Sequence, residues 1–164
     1  MRPGEILDRV ADHGESFLIE RNGQRKACLV PLTVFLPDVA PTRLAEELEG
    51  LEKLGVQFRT TVTDTREVAV TAPLIVSDEK FEVTIVLPNG YPHACPRVYV
   101  PGISDEKVPH RWGDGTLCIF GVMSTWNPGK HGVGTALNLS QRWLENHAAW
   151  KSSGHWPTTE VTSE

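Results

Sequence analysis

Cysteine is scarce in this chain: three residues in 164, Cys28, Cys95 and Cys118, odd in number and far apart. No disulfide framework can be built from that set. Lone thiols of this kind fit a reducing compartment, where an exposed one can work. Long apolar runs are missing as well. None approaches the roughly 18 residues needed to cross a bilayer. The opening MRPGEILDRVADHGE is charged and amphipathic and holds no signal-peptide core. A soluble, cytoplasmic protein without a membrane partner is expected. Positive charge is not in excess: the net charge is −5, with acids and bases interspersed, which argues against a dedicated nucleic-acid binder. No Gly-rich phosphate cradle, nucleophilic serine elbow or His-Glu metal helix occurs. Nucleotide chemistry in the chain and a resident cofactor are therefore not expected.

What is present suffices for a fold. Hydrophobic residues make up 40% and charged ones 23%, the balance of a chain that forms one compact domain plus a short appendage. The division falls at Pro37 to Pro41. Before it, EILDRVADHG reads as an amphipathic helix with Ile6, Leu7 and Val10 on one face and Gly14 as its stop. SFLIERNGQRKACLVPL then reads as a hairpin turning at Asn22-Gly23 and ending at Pro31. Residues 1–36 form this appendage, 37–42 a linker, and 43–164 the main domain.

Pro41 opens a second helix through about Leu54, with Leu44, Leu48, Leu51 and Leu54 on one stripe and Gly55 closing it. Three strand-like stretches follow: VQFRTTVT, AVTAPLIVS and FEVTIVLP, the last placing Phe81, Val83, Ile85 and Leu87 on one side. YPHACPRVYVPG reads as a fourth, proline-punctuated strand. Residues 101–134, rich in Gly, Pro and Trp, read as an ordered loop region. TALNLSQRWLENHAAWKSS reads as a helix burying Leu137, Trp143, Leu144 and Trp150. Helix, four-stranded antiparallel meander, long loop and helix make an α+β domain.

Three elements in that framework fall in a fixed order. Pro88 is followed three residues later by Tyr91-Pro92 and then by Pro96-Arg97-Val98. Asp114-Gly115-Thr116-Leu117 leads into Cys118, and Trp126-Asn127-Pro128 follows eight residues after the cysteine. Residues 43–150 thereby resemble the catalytic core of ubiquitin-conjugating enzymes, which implies that fold and a thioester-forming cysteine. The chain departs from the family where His-Pro-Asn is usual: Val108-Pro109-His110 stands there, with histidine in place of asparagine. The two terminal helices of many eukaryotic members are missing. The combination of His110 before Gly113-Asp114-Gly115-Thr116-Leu117-Cys118, Trp126-x-Pro128 and a short Trp-rich tail looks more like the bacterial branch, found in ubiquitin-like conjugation and antiphage operons. Residues 5–32 separately resemble the conserved half of prevent-host-death (Phd/YefM) antitoxins, whose leading strand is absent here. Pairing of such antitoxins through their hairpin sheets implies a homodimer through residues 1–36.

The resemblance points to Cys118 as the nucleophile. A conjugating cysteine accepts a carboxyl terminus as a thioester and yields it to an amine. It needs exposure more than a depressed pKa, since the incoming thioester is already activated. An exposed loop is thus expected, with Leu117 and Ile119 anchoring it on either side; the alternative is a small buried apolar residue. His110 can donate to the tetrahedral oxyanion, act as a base, or merely cap backbone groups. Asp114 can polarise or order the loop, or be an ordinary turn aspartate. Tyr91, Pro92, Pro96, Trp126 and Pro128 read as scaffold. His93, Cys95, His110 and Cys118 match no common zinc spacing, so no metal is expected. Trp143, Trp150 and Trp156 read as core, with Trp156 equally able to mark a partner surface. Cys28, in an apolar strand, reads as structural.

Three functions follow. The first is a cysteine-dependent acyl transferase of the conjugating type. Its donor would be a ubiquitin-like protein or a nucleotidyltransferase C-terminus, with an activating enzyme left open as a further partner. The second is a non-catalytic module that binds a ubiquitin-like protein; the cysteine in register argues against it. The third is an antitoxin-like regulator. It calls for a basic DNA-binding face, whereas Arg2, Arg9, Arg21, Arg25 and Lys26 stand against Glu5, Asp8, Asp12, Glu15, Glu20 and Asp38.

Overall fold

The computed structural model describes residues 2–29, 41–103, 107–120 and 125–157. In helix α1 (Pro3–His13) proline takes the first position, where its missing N–H is no loss. The Glu5 carboxylate accepts the Arg2 backbone N–H at 3.0 Å, and Gly14 closes the helix in a left-handed conformation (φ 70). Val10 is buried and Ile6 half-buried, but Leu7 is exposed. Leu7 sits about 100° round the helix from Ile6, at the margin of the expected stripe. Strands β1 (Phe17–Arg21) and β2 (Gln24–Leu29) pair antiparallel in a two-stranded sheet of their own. Asn22 (φ 55) and Gly23 (φ 71) form the turn between them. Positive φ at both central positions is what a two-residue hairpin turn requires. Residues 30–40, which hold the expected strand end at Pro31 and most of the linker, lie outside the described residues, as does the side chain of Cys28.

Helix α2 (Pro41–Lys53) buries Leu44 and Leu51 and packs Leu48 against the same core. Leu54 departs from the expected stripe and is 79% exposed. The helix has ended at Lys53, and Gly55 (φ 71) already turns the chain away. Strands β3 (Arg59–Val62), β4 (Val68–Val76), β5 (Glu79–Leu87) and β6 (Arg97–Tyr99) form an antiparallel meander in the order β3-β4-β5-β6. The expected architecture is therefore present, with shorter outer strands. The fourth shrinks from the anticipated 91–102 because Pro92 and Pro96 lack ladder donors and residues 91–94 turn instead. There the His93 and Ala94 N–H groups both donate to the Gly90 carbonyl, at 2.9 and 3.1 Å. Pro73 sits inside β4 without harm, since β3 pairs with β4 only as far as Thr71.

Val83, Ile85 and Leu87 of β5 are fully buried, with Phe81 partly covered beside them. Helix α3 (Val133–Ser153) starts two residues before the anticipated Thr135 and packs on β4, β5 and α2. It buries Leu137, Trp143 and Leu144, with Trp150 at the margin. Among the described residues no helix is long and apolar enough to cross a membrane.

Candidate functional site

The stretch read as loop folds back on itself as a narrow hairpin, and its register sets the site. The Arg111–Leu117 pair forms an antiparallel bridge. Inside it the Trp112 N–H donates to the Thr116 carbonyl at 2.9 Å, and the Gly115 N–H to the Trp112 carbonyl at 3.0 Å. Outside it the Cys118 N–H donates to the His110 carbonyl at 3.0 Å. Gly113-Asp114-Gly115 is the tip. Gly115 holds φ 89, a left-handed conformation that favours glycine, and a Cβ there would stand 3.1 Å from Arg111 Nη2. Arg111 ties the hairpin to the domain by donating to the Ile103 carbonyl at 2.6 Å and the Gly115 carbonyl at 3.2 Å. On the other side the Leu117 N–H donates to the Val98 carbonyl at 2.8 Å, joining the loop to β6.

Cys118 and His110 are thus brought together through their backbones. His110 is exposed and holds a left-handed conformation (φ 56), a region in which His, Asn and Asp are enriched among non-glycine residues. Asparagine and histidine meet that demand alike. The His110 carbonyl also accepts the Trp143 indole N–H at 2.8 Å. Its ring lies against Trp156, centroids 5.1 Å apart.

Cys118 corrects the expectation of an exposed thiol: only 4% of its surface is open. Leu117 and Ile119, anticipated as anchors, are both buried and draw the residue between them into the core. Burial pushes its thiol pKa up, because the thiolate would lose its hydration. Cys95 is exposed and its thiol is also held up by partial desolvation.

Asp114 orders the loop tip. Its Oδ1 accepts both the Thr116 N–H at 2.9 Å and the Thr116 hydroxyl at 2.7 Å, an Asx turn that holds its pKa below the usual carboxylate range. Tyr91, Pro92 and Trp126 meet: the Trp126 indole N–H donates to the Pro92 carbonyl at 2.8 Å, and the Tyr91 and Trp126 rings lie 5.9 Å apart. Phe120, two residues past Cys118, packs edge-on against Trp126 at 5.0 Å. Pro96 is buried ahead of β6. Pro128 lies in a turn whose His131 N–H returns to the Asn127 carbonyl at 2.8 Å. Among the described residues no three His, Cys, Asp or Glu side chains gather as a metal site would need.

Beneath this shell lies Glu47, which carries no sequence signal beyond its helical spacing from Arg43. Its side chain is 10% exposed. Its carboxylate pairs with Arg43, sits 2.6 and 2.8 Å from the Tyr91 hydroxyl, and accepts the Val133 N–H at 2.7 Å. A carboxylate from α2 thus caps the N-terminus of α3, where the helix dipole favours negative charge. Gly132 makes room for it: a Cβ there would fall 2.7 Å from the carboxylate. Burial and the Glu47 bond push the Tyr91 hydroxyl pKa well up.

The family model described as Type II CBASS E2 protein matches residues 47–163. Among solved structures, the yeast vps23 UEV domain in complex with a vps27 PSDP peptide is similar at 13% identity and TM-score 0.46, over 77% of this chain and 89% of that one. The Vps23 UEV in complex with ubiquitin is similar at 12% identity and the same score, over 68% and 88%. No curated protein matches.

Proposed function

The chain belongs to the Type II CBASS E2 family, bacterial ubiquitin-conjugating-enzyme-like proteins of antiphage defence, and from that premise we propose that Cys118 carries a protein C-terminus as a thioester and passes it to an amine. The observation that supports this reading best is the register of the 110–118 hairpin, which sets Cys118 on the His110 carbonyl inside the matched stretch.

The donor is a thioester-activated C-terminus, of a ubiquitin-like protein or a nucleotidyltransferase, held on the thiol of an activating enzyme. The Cys118 sulfur attacks the carbonyl carbon. A new S–C bond forms, the donor C–S bond breaks, and the donor thiol leaves with the proton that Cys118 gave up. In the second step an amine nitrogen attacks the same carbon; the C–N bond forms, the C–S bond breaks, and Cys118 recovers a proton from the amine. His110 donates an imidazole N–H to the oxyanion of the tetrahedral state formed as the amine attacks. Its role is in that step and not in ionising the thiol. Because the sulfur is buried, loading includes a movement that uncovers it.

Non-reducing gels after co-expression with the neighbouring genes test the reading. Cys118→Ala abolishes the reducible adduct. His110→Ala still loads but discharges onto lysine on the order of 10²–10³ more slowly, the usual effect of losing one oxyanion donor, and His110→Asn recovers part of the rate. An adduct that persists in Cys118→Ala overturns the mechanism. Discharge by His110→Ala at the wild-type rate removes the histidine from it.

The burial of Cys118 favours a second reading, a non-catalytic module that binds a ubiquitin-like partner. It predicts that wild type and Cys118→Ala bind the partner equally and that neither forms an adduct. For residues 1–36, the proposal is an antitoxin-like pairing unit that dimerises the chain, supported by the exposed Leu18 and Ile19 on β1.

A further inference from the structure

The segment after α3 returns to the loop that holds His110. α3 ends at Ser153, and Gly154 reverses the chain in a left-handed conformation (φ 74) with its N–H on the Trp150 carbonyl at 2.8 Å. The His155 N–H donates to Ser153 Oγ at 3.1 Å, which fixes the turn. Trp156 is thereby laid against two rings at once, Trp143 at 5.3 Å and His110 at 5.1 Å. Trp143 in turn holds the His110 carbonyl, the acceptor that Cys118 shares. Trp143 secures the backbone of His110, and Trp156 meets its ring.

An imidazole on an exposed, left-handed residue has two side-chain torsions to settle, and among the described residues the ring set against it is Trp156. An aromatic face beside it chooses between rotamers. We infer that Trp156 is a positioning residue for His110: it holds the imidazole in one orientation toward the acyl group on Cys118. The segment following α3 is therefore part of the transfer site, though it does not touch the reacting atoms. The inference rests on the reading of His110 as the oxyanion donor.

The test uses the full chain, loaded on Cys118 by its activating partner and discharged onto free lysine. Trp156→Leu keeps apolar bulk against Trp143 but removes the π face, and Trp156→Phe keeps a ring. Both variants load as wild type does. Trp156→Leu discharges about tenfold more slowly, within the range that small misplacement of a reacting group causes, and Trp156→Phe stays close to wild type. In a His110→Ala background Trp156→Leu has no further effect, as expected of two residues acting through one group. Discharge by Trp156→Leu at the wild-type rate overturns the inference. So does an equal loss with and without His110, which would make Trp156 a purely structural residue. If wild type forms no adduct at Cys118, the conjugating reading fails on its own account. The imidazole carbon-bound proton of His110 then decides the positioning: its ring-current shift is lost in Trp156→Leu and kept in Trp156→Phe, and a resonance that does not move refutes the contact.

Discussion

β1 and β5 are both apolar strands in hairpins closed by positive-φ turns, and their side chains meet opposite fates. On β1, Leu18 and Ile19 stand 51% and 42% exposed, whereas Val83 and Ile85 of β5 are completely covered. The turns are equally sound: Asn22 and Gly23 in one, Ser77 (φ 50) and Asp78 (φ 64) in the other. What differs is the cover. Helix α3 lies on β4 and β5 and packs against α2, while the first hairpin is steadied by short-range contacts, an Arg9–Glu15 ion pair and Arg9 over the Phe17 ring at 5.1 Å. Turn chemistry suffices to shape a hairpin; burial needs a second layer.

The largest expected effect falls on that second layer. Trp143 is fully buried at the centre of α3 and holds the His110 carbonyl. Trp143→Ala should cost about 3–5 kcal/mol, the usual loss for emptying a large aromatic site. The urea midpoint of the 41–157 unit measures it. A loss no larger than that of an exposed hairpin substitution would erase the distinction between the regions.

Next in size is Glu47. Glu47→Gln keeps the shape of the side chain but removes the charge that Arg43, Tyr91 and the Val133 N–H all share. Weakening these charge-assisted bonds in a nearly closed site should cost about 1–3 kcal/mol. Arg9→Ala, which breaks the exposed Arg9–Glu15 pair, should cost clearly less, because exposed ion pairs are screened by solvent. Paired denaturation curves compare them, and a cost at Arg9 equal to that at Glu47 would refute the claim that burial makes the difference.

The pH dependence of stability sharpens the same contrast. The Tyr91 hydroxyl has its pKa raised by burial and by Glu47. Protonated in both states, it leaves stability intact below the ordinary tyrosine pKa of about 10. Above that value the unfolded chain ionises first, and stability falls by at most about 1.4 kcal/mol per pH unit. Cys118, also raised by burial, adds a loss of the same sign that begins near pH 8.5. Tyr91→Phe and Cys118→Ala should each flatten part of the alkaline decline in denaturation midpoint. An unchanged slope in both would contradict the assigned directions.

How much of this was legible in the sequence depends on how far apart the partners lie. The β5 face was readable from alternation at Phe81, Val83, Ile85 and Leu87, because a strand's period is local. The turn at Asn22-Gly23 was readable for the same reason. The family register set His110 and Cys118 as partners in the sequence, and their backbones do meet, the Cys118 N–H on the His110 carbonyl. Glu47 was silent, since its partners Tyr91 and Val133 lie 44 and 86 residues away and no periodicity spans such a distance. The burial of Cys118 was equally hidden, because exposure is a property of what packs around a residue. The hairpin within 110–118 was not legible because glycine and proline signal a turn without saying what the turn joins.

The smallest expected effect concerns the first hairpin and tests both halves of the comparison at once. Ile19 faces Ala27 across β1 and β2 and is substantially exposed. Ile19→Lys removes little buried area, so the denaturation midpoint of the 41–157 unit should shift by no more than about 0.5 kcal/mol in free energy, as for surface positions generally. Association is where it should register. If two copies pair through this hairpin as proposed, the lysine places like charges at the contact and desolvates them on assembly. The mass measured by sedimentation across a concentration series should then fall from that of two chains to that of one. A dimer indifferent to Ile19→Lys would move the contact elsewhere. A variant that unfolded the 41–157 unit would mean that the hairpin is cover for that core after all.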